Sequence, residues 1–569
     1  MNLRFPFPSL QKIKWFSFRS LPLLVSVGVA SSALYGAPSI TSIANAAGNI
    51  GFNAPIAQGA IFVIKGSGLG PANIFIDPQP FQHTNSGGTS IAVTVGSTTV
   101  NALMYYASDG QVAALLPSNT PLPTTASPMF TVTYNGQTSA AVVHGIVANN
   151  VGIFTIDSSG QGPAIVEFPD GTLVSAAKAS NCGAPATACG AANPGDTLVL
   201  WATGLGPVSP PNDASGAGLG QAISVQLTLY VGGVPATVVY QGRSGYVGLD
   251  QINFTVPNNA PTGCAVPLVV QIGTTTNTVS NTTLIPVANG SRSCTPTNAA
   301  FASVNVEQAV MAGPVSYGGL ELDHFLNNGS GYFDQAKFTF AKVLTYMPGT
   351  QPFFLSYLDD QPLGTCVVYP NTNAANNTNP VGNTAPLDAG VNFTVKGPNG
   401  SLSVAGNPGQ FKQTLSAGGT FLVAGNYTIS GSGGADVGPF TGTLIIPPSP
   451  TLISPAGPNN LTVTRSNGMT VTWNPNGSTG HVEISITSAL DNTFNSGSTA
   501  VCQVLASAGS FTVPPYVTLA LPANNFTFFE LGPGTNSAAS SAPFTAKGLN
   551  IGVIQAFVDG TGFGGFSLK

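Results

Sequence analysis

Apolar residues in this chain fall in short alternating runs. Thr237-Val238-Val239-Tyr240, Lys337-Phe338-Thr339-Phe340, Val391-Asn392-Phe393-Thr394-Val395 and Tyr427-Thr428-Ile429 each put every second side chain on one face. A period of two is the mark of a half-buried β-strand. Between the runs lie Gly, Pro, Asn and Ser, at a spacing of roughly 8–12 residues, which is the grammar of a β-sandwich. The pattern predicts an all-β protein of several short-stranded domains.

The first half repeats itself. Residues 59–71 read GAIFVIKGSGLGP and residues 195–207 read GDTLVLWATGLGP, matching position by position. The match continues through Val95-Gly96 against Val231-Gly232, Tyr106 against Tyr240, and QVAALLP at 111–117 against QINFTVP at 251–257. We place one sandwich at 38–149 and its duplicate at 150–297.

These stretches also carry a resemblance. PSITSIANAAG (38–48), AQGAIFVIKGSGLGP (57–71), NPGDTLVLWATGLGP (193–207) and VGGVPATVVYQGRSGYVGLDQINFTVP (231–257) resemble the Solibacter-type uncharacterised C-terminal domain of exported acidobacterial proteins, related to the IPT/TIG immunoglobulin-like domains. The resemblance implies tandem immunoglobulin-like β-sandwiches in a secreted or surface protein. It implies no catalytic residue.

Past the Ser/Thr/Asn/Pro-rich stretch at 289–299 the repeat stops. A third sandwich is expected at 298–447, with the Asn-rich PNTNAANNTNP (370–380) as a long loop. Pro447-Pro448-Ser449-Pro450 cannot continue a ladder and marks a boundary, leaving an Ig- or fibronectin-like sandwich at 448–569. There Arg465-Ser466-Asn467-Gly468 between LTVT (461–464) and MTVTW (469–473) predicts a hairpin, with Trp473 as a core residue.

Composition sharpens the picture. In 569 residues, 43% are hydrophobic and only 6% charged, with 69 Gly and 46 Pro, so uncharged polar residues must cover the surface and turns are too dense for long helices. The regular Val/Ile/Thr/Phe runs argue against disorder. The basic N-terminus (Arg4, Lys12, Lys14, Arg19), the uncharged run Leu21 to Tyr35 and the small residues after it have the layout of a signal peptide over 1–37. The run is too short to span a bilayer, and no later segment is long and apolar enough to do so. Export to the cell surface or the medium is therefore expected, as a chain without a membrane span. Removing residues 1–37 leaves 11 basic against 20 acidic residues, a formal charge of −9 with no basic cluster, which excludes nucleic-acid binding.

Six cysteines in an exported chain favour disulfides, with fifteen pairings open. Their positions favour Cys182 with Cys189, Cys264 with Cys294 and, by elimination, Cys366 with Cys502. Metal-ligand spacing is lacking, and His83, His144, His324 and His481 are scattered, so no metal or cofactor is expected.

Candidate sites are few. Gly66-Ser67-Gly68-Leu69-Gly70 lacks the helix a nucleotide loop needs, and its recurrence at Gly204-Leu205-Gly206 points to a structural corner. No G-x-S-x-G elbow occurs. Glu321, Asp323 and His324 form the densest ionisable cluster, and Asp359-Asp360 raise a glycosidase pair, although neighbours on a strand face opposite ways. Gly433-Gly434-Ala435-Asp436 and Asp559-Gly560-Thr561-Gly562 are single copies of a glycine-aspartate pattern that binds calcium only in tandem arrays. Tyr105, Tyr106, Tyr246 and above all Trp201, which stands where the first repeat has Lys65, are aromatic candidates to stack on a sugar, set against core packing. The expectation is a non-catalytic binding or structural protein whose partner is an extracellular polysaccharide or another surface protein. The alternative is an extracellular polysaccharide-degrading enzyme, or its accessory subunit, with a site in 298–447.

Overall fold

The computed structural model describes residues 36–48, 54–85, 87–156, 158–176, 190–211, 213, 221–273, 278–298, 300, 313–327, 331–343, 360–370, 384–406, 409–457, 461–493 and 496–569. The signal-peptide segment up to residue 35, Cys182, Cys189, Asp359 and residues 371–380 of the Asn-rich stretch lie outside them. The described chain is all-β, built from sheets packed face to face as sandwiches.

In the first repeat one sheet runs Ser39–Asn45, Ile61–Ser67, Gln111–Leu115, Leu103–Ala107, Phe75–Ile76, and the other Gln137–Thr138, Met129–Tyr134, Ser90–Val95, Thr98–Asn101. Alternation does the sorting: along Ser90–Val95 every second residue, Ile91, Val93 and Val95, is buried. These pack with Phe62, Ile64, Met104, Val112 and Phe130 between the sheets, the Phe62 and Phe130 rings meeting edge to face at 5.7 Å.

The second repeat keeps the same strand order, Gly152–Ile153, Thr197–Thr203, Asp250–Thr255, Val234–Arg243, Leu227–Val231, Gly263–Ile272, Thr278–Val279, in one continuous sheet. Val234–Arg243 serves both layers, its start pairing with Leu227–Val231 and the rest with Asp250–Thr255. Thr98–Asn101 and Leu103–Ala107 divide that work in the first repeat. Even the bulge is repeated, between Met104 and Tyr106 in one copy and between Val238 and Tyr240 in the other.

The two repeats are tied together. Thr203 Oγ1 accepts from Ile61 N–H at 2.9 Å and donates to Gly248 O at 2.6 Å, and Asn150 Nδ2 donates to Pro55 O at 2.7 Å. Phe81, Leu103, Leu115 and Val247 form a small apolar cluster at the contact, where Tyr105 OH donates to Val247 O.

The second half holds two further sandwiches, but its strands do not sort into consecutive units at residue 447. Ile551–Val558 lies parallel beside Val315–Asn327, in register from Tyr317 with Ile551 to His324 with Val558. Conversely Thr365–Pro370 pairs with Gly497–Leu505. One sandwich therefore draws on 315–343, 384–446 and 540–558, around Leu320, Phe338, Phe340, Phe393, Phe411 and Ile554. The other draws on 365–370, 451–532 and 561–568, around Val471, Trp473, Ile484, Cys502 and Phe529. Parallel pairing demands a long crossover, and here the crossover is most of the second half of the chain. The prolines 447–450 connect the sandwiches, between Phe440–Ile446 and Thr451–Ser454.

The expected 465–468 hairpin is not formed. Thr462–Val463 pairs with Ser567–Leu568, while Met469–Asn474 pairs with Ser510–Val513 and Thr451–Ser454. Arg465–Asn467 make a single 3-10 turn instead, held by Arg465 Nη1 donating to Leu519 O and Leu521 O and by Thr518 Oγ1 donating to Arg465 O. Tertiary hydrogen bonds override the local turn signal. Trp473 is a core residue, 2% exposed, with its indole N–H donating to Ala506 O at 2.7 Å.

Candidate functional site

Strand register resolves the Glu321, Asp323 and His324 cluster. Odd-numbered side chains of Val315–Asn327 face away from the sandwich interior that holds Leu320 and Leu322. Glu321 and Asp323 therefore share the outer face, while His324 points the other way.

On the outer face, residues in register across adjacent strands form a polar row: Lys412, Lys337, Glu321, Gln555 and Ser541. Lys337 Nζ meets Glu321 Oε2 at 2.6 Å, and the carboxylate holds the ammonium in its charged form against the cost of partial burial. The next row contains Thr414, Gln335 and Asp323, with Gln335 Nε2 donating to Asp323 Oδ2 at 3.0 Å. Asp323 is only 3% exposed, and burial, reinforced by the like charge of Glu321, pushes its carboxyl up to about 6. A carboxyl raised by burial with a second carboxyl on the same face is the arrangement of a glycosidase pair. Glu321, however, is engaged by Lys337, and Asp323 is closed off from solvent.

His324 belongs to a separate group at one end of the sandwich. Its Nδ1 lies 2.6 Å from Asp334 Oδ1, its ring stacks on Tyr332 at 4.5 Å, and Asp334 Oδ2 accepts the backbone N–H groups of Phe421 and Leu422 at 2.6 and 2.9 Å. Asp334 is fully buried, with Oδ1 engaged by His324 of the neighbouring strand and Oδ2 pinning the 421–422 loop onto it. The pair is a brace. Among the described residues, no three His, Cys, Asp or Glu side chains converge in a way that could hold a metal ion.

Other candidates also have structural work. Asp360 accepts the N–H groups of Thr297 and Asn298. Asp388 and Asp436 cap each other's turns, Asp436 Oδ2 accepting from Asp388 N and Asp388 O from Asp436 N. Asp559 Oδ2 accepts Leu326 N–H at 2.6 Å. Trp201 lies on the opposite face of Thr197–Thr203 from Leu198, Leu200 and Ala202, yet is only 6% exposed, with the Glu167 side chain beside it. No flat face is left there for a sugar. Tyr105 and Tyr106 are half-buried, while Tyr246 is 38% exposed.

One charged pair escaped the sequence reading. Arg243 and Asp250 form an ion pair 2% and 0% exposed, wrapped by the Gly204-Leu205-Gly206 corner: Leu205 N–H donates to Asp250 Oδ2 at 2.7 Å and Arg243 Nη2 to Gly206 O at 3.2 Å. Burial pushes the Asp250 carboxyl up, and the guanidinium and backbone amides pull it back. Flanking a tight turn seven residues apart was its only sequence signal. Disulfides join Cys264 to Cys294 and Cys366 to Cys502.

No protein-family model matches the chain. No curated protein matches it by sequence either. Among solved structures, it is similar to the chicken CNTN1 FN1-FN3 domains at 11% identity, covering 62% of this chain and 91% of that one with a TM-score of 0.16. It is similar to the full ectodomain (Ig1-Ig3) of mouse nectin-like molecule 4 at 10% identity, covering 66% and 91%, TM-score 0.14. A protein of unknown function from Bacteroides thetaiotaomicron is 10% identical over 71% and 84%, TM-score 0.14. Likenesses this distant bear on neither ligand nor activity.

Proposed function

We propose that this is an exported, non-catalytic binding or structural protein, a row of Ig-like sandwiches that contacts an extracellular polysaccharide or another surface protein. The observation that carries the reading is the fate of the rare ionisable groups. Asp334, Asp250, Asp360 and Glu483 are each satisfied by several donors of the fold itself, Glu483 by Asn536 and the backbone and hydroxyl of Ser537. Groups spent in this way are not free for acid-base chemistry. Two disulfides suit an oxidising compartment, and the layout of residues 1–37 and the Solibacter-type resemblance of 38–290 agree with export. Among the described residues no helix is long and apolar enough to cross a membrane.

The raised Asp323 beside Glu321 supports a second reading, a polysaccharide-degrading enzyme or its accessory subunit. One experiment separates the two. The chain from residue 38 is incubated with insoluble and immobilised polysaccharides, and retention and sugar release are measured together. Retention without release is expected. Release abolished by Asp323→Asn would replace the first reading with the second.

A further inference from the structure

The repeat exposes a difference between its copies. In the first, the free edge of Leu103–Ala107 is covered by the chain's own segment: Phe75 and Ile76 pair with Ala107 and Tyr106, Asp77 N–H donates to Tyr105 O at 3.0 Å, and Gln82 O accepts Met104 N–H at 2.8 Å. His83 closes the far end, its Nδ1 lying 3.2 Å from Ala102 O. In the second copy the equivalent segment starts alike, with Ala222 bridging Gly242 and Ile223 N–H donating to Gln241 O. It then turns away, Val225 N–H donating to Ile223 O, and enters Leu227–Val231 at once. Among the described residues, nothing covers this edge as residues 77–85 do in the first copy.

The result is an open groove of about 600 Å³, lined by Val225, Leu227, Ala236, Val238, Val239 and Gln241. Val225, Leu227, Ala236 and Val238 are partly buried apolar residues at the margin of the core. The Gln241 side-chain amide ties Ile223 O and Val225 O at one end. The shared bulge makes Val238 the counterpart of Met104 and Val239 that of Tyr105, so Val238 N–H and Val239 C=O point along the groove edge where the first repeat bonds its own segment. Val239 is 58% exposed.

We propose that this groove docks an extended peptide strand of a partner protein, which adds main-chain hydrogen bonds to Val238 and Val239 and lays apolar side chains on Val225, Leu227 and Val238. The first repeat supplies the chemistry of the occupant: an extended segment offering a C=O and an N–H in turn, as Gln82 and Asp77 do. Strand addition to a free sheet edge is an established route to peptide recognition. The site lies apart from the polar row at Glu321. A chain that retained polysaccharide but no peptide would keep the function proposed above and lose this one.

The probe is a fluorescein-labelled peptide of residues 75–85, titrated into the chain from residue 38 by fluorescence anisotropy, with hydrogen exchange at the Val238 amide. Saturable binding is expected, roughly tenfold weaker for Val239→Arg, with a Val238 amide that exchanges fast in the free chain and slows in the complex. Val239 is exposed in a bulge, so the variant should fold, and the exchange measurement does not depend on it. Absence of saturable binding, binding indifferent to Val239→Arg, or a Val238 amide already slow in the free chain would each overturn the proposal. A self-association abolished by Val239→Arg would put a second copy in the groove and overturn the choice of partner.

Discussion

Cys366 and Cys502 face each other across the antiparallel strands Thr365–Pro370 and Gly497–Leu505, and their disulfide closes a sequence separation of 136 residues. Both are core residues of one sandwich, 2% and 0% exposed, so the bond does not bridge two sandwiches, as a boundary at 447 would have made it do. It fixes a strand drawn from far upstream onto its sheet.

Removing that link should loosen the strand first. The double variant Cys366→Ala/Cys502→Ala is expected to lose about 2–5 kcal/mol, read as a lower midpoint in thermal unfolding. Exchange at the 365–369 amides should accelerate before that of Met469–Asn474. A chain whose midpoint ignores dithiothreitol would contradict the role given to the bond.

The Arg243 and Asp250 pair predicts strong non-additivity. Arg243→Met leaves a buried carboxylate without its counter-ion and should cost roughly 3–5 kcal/mol. Adding Asp250→Leu removes the orphaned charge, and the double variant should recover a large part of that loss. Denaturant unfolding of the two single variants and the double one measures the coupling, and simple addition of the single losses would mean that the pair is not closed off from water.

Acidity should stabilise the sandwich that contains Asp323. Burial, then Glu321, holds its carboxyl at about 6 in the folded chain, above the ordinary 3.8. Between those values the native state keeps a proton that the unfolded state has lost. This contribution is complete below about pH 4, falls as pH rises to 6, and is worth on the order of 2 kcal/mol. Asp360 and Asp559, both raised by burial to about 6, act in the same direction. His481 acts oppositely, since burial lowers it to about 4 and acid must charge it. The clean measurement is therefore the difference between wild type and Asp323→Asn, which should be smallest below about pH 4 and widen in favour of the variant as pH rises to 6 if the amide stands in for the protonated acid.

Legibility in the sequence followed locality. The duplicated strands, their Gly corners and even the equivalence of Tyr106 with Tyr240 were readable, because each copy is built from neighbouring segments whose alternation sets burial. The opposite orientations of Asp323 and His324 follow from the same period of two. The pairing of Tyr317 with Ile551 was not readable, since no local pattern names a partner that arrives from the far end of the chain. The Trp201 environment was hidden for a related reason: the outer face of Thr197–Thr203 is open at Thr197 and closed only at Trp201 and Thr203, and a single strand shows only its own alternation. The loss of the covering segment was not readable, because the stretches 71–95 and 207–231 are equal in length, and seeing it required knowing which backbone groups that segment occupies in the first copy.

The junction between the repeats gives the last test. Gly248 has φ +69°, a conformation that L side chains rarely adopt, and a Cβ there would run into Leu115 Cδ1 and Ile61 Cγ1 of the first repeat. Gly248 O is also the acceptor for Thr203 Oγ1. Gly248→Ala must therefore strain the backbone or part the repeats, while the Leu198, Leu200 and Phe254 core of the second repeat is untouched. The expected outcome is a loss of about 1–3 kcal/mol together with faster exchange at Ile61 N–H, which Thr203 Oγ1 otherwise holds, and unchanged exchange at Leu229 and Val270. Uniform acceleration at all these amides would mean that the two repeats unfold as one unit, and unchanged exchange at Ile61 would mean that the contact bears no load.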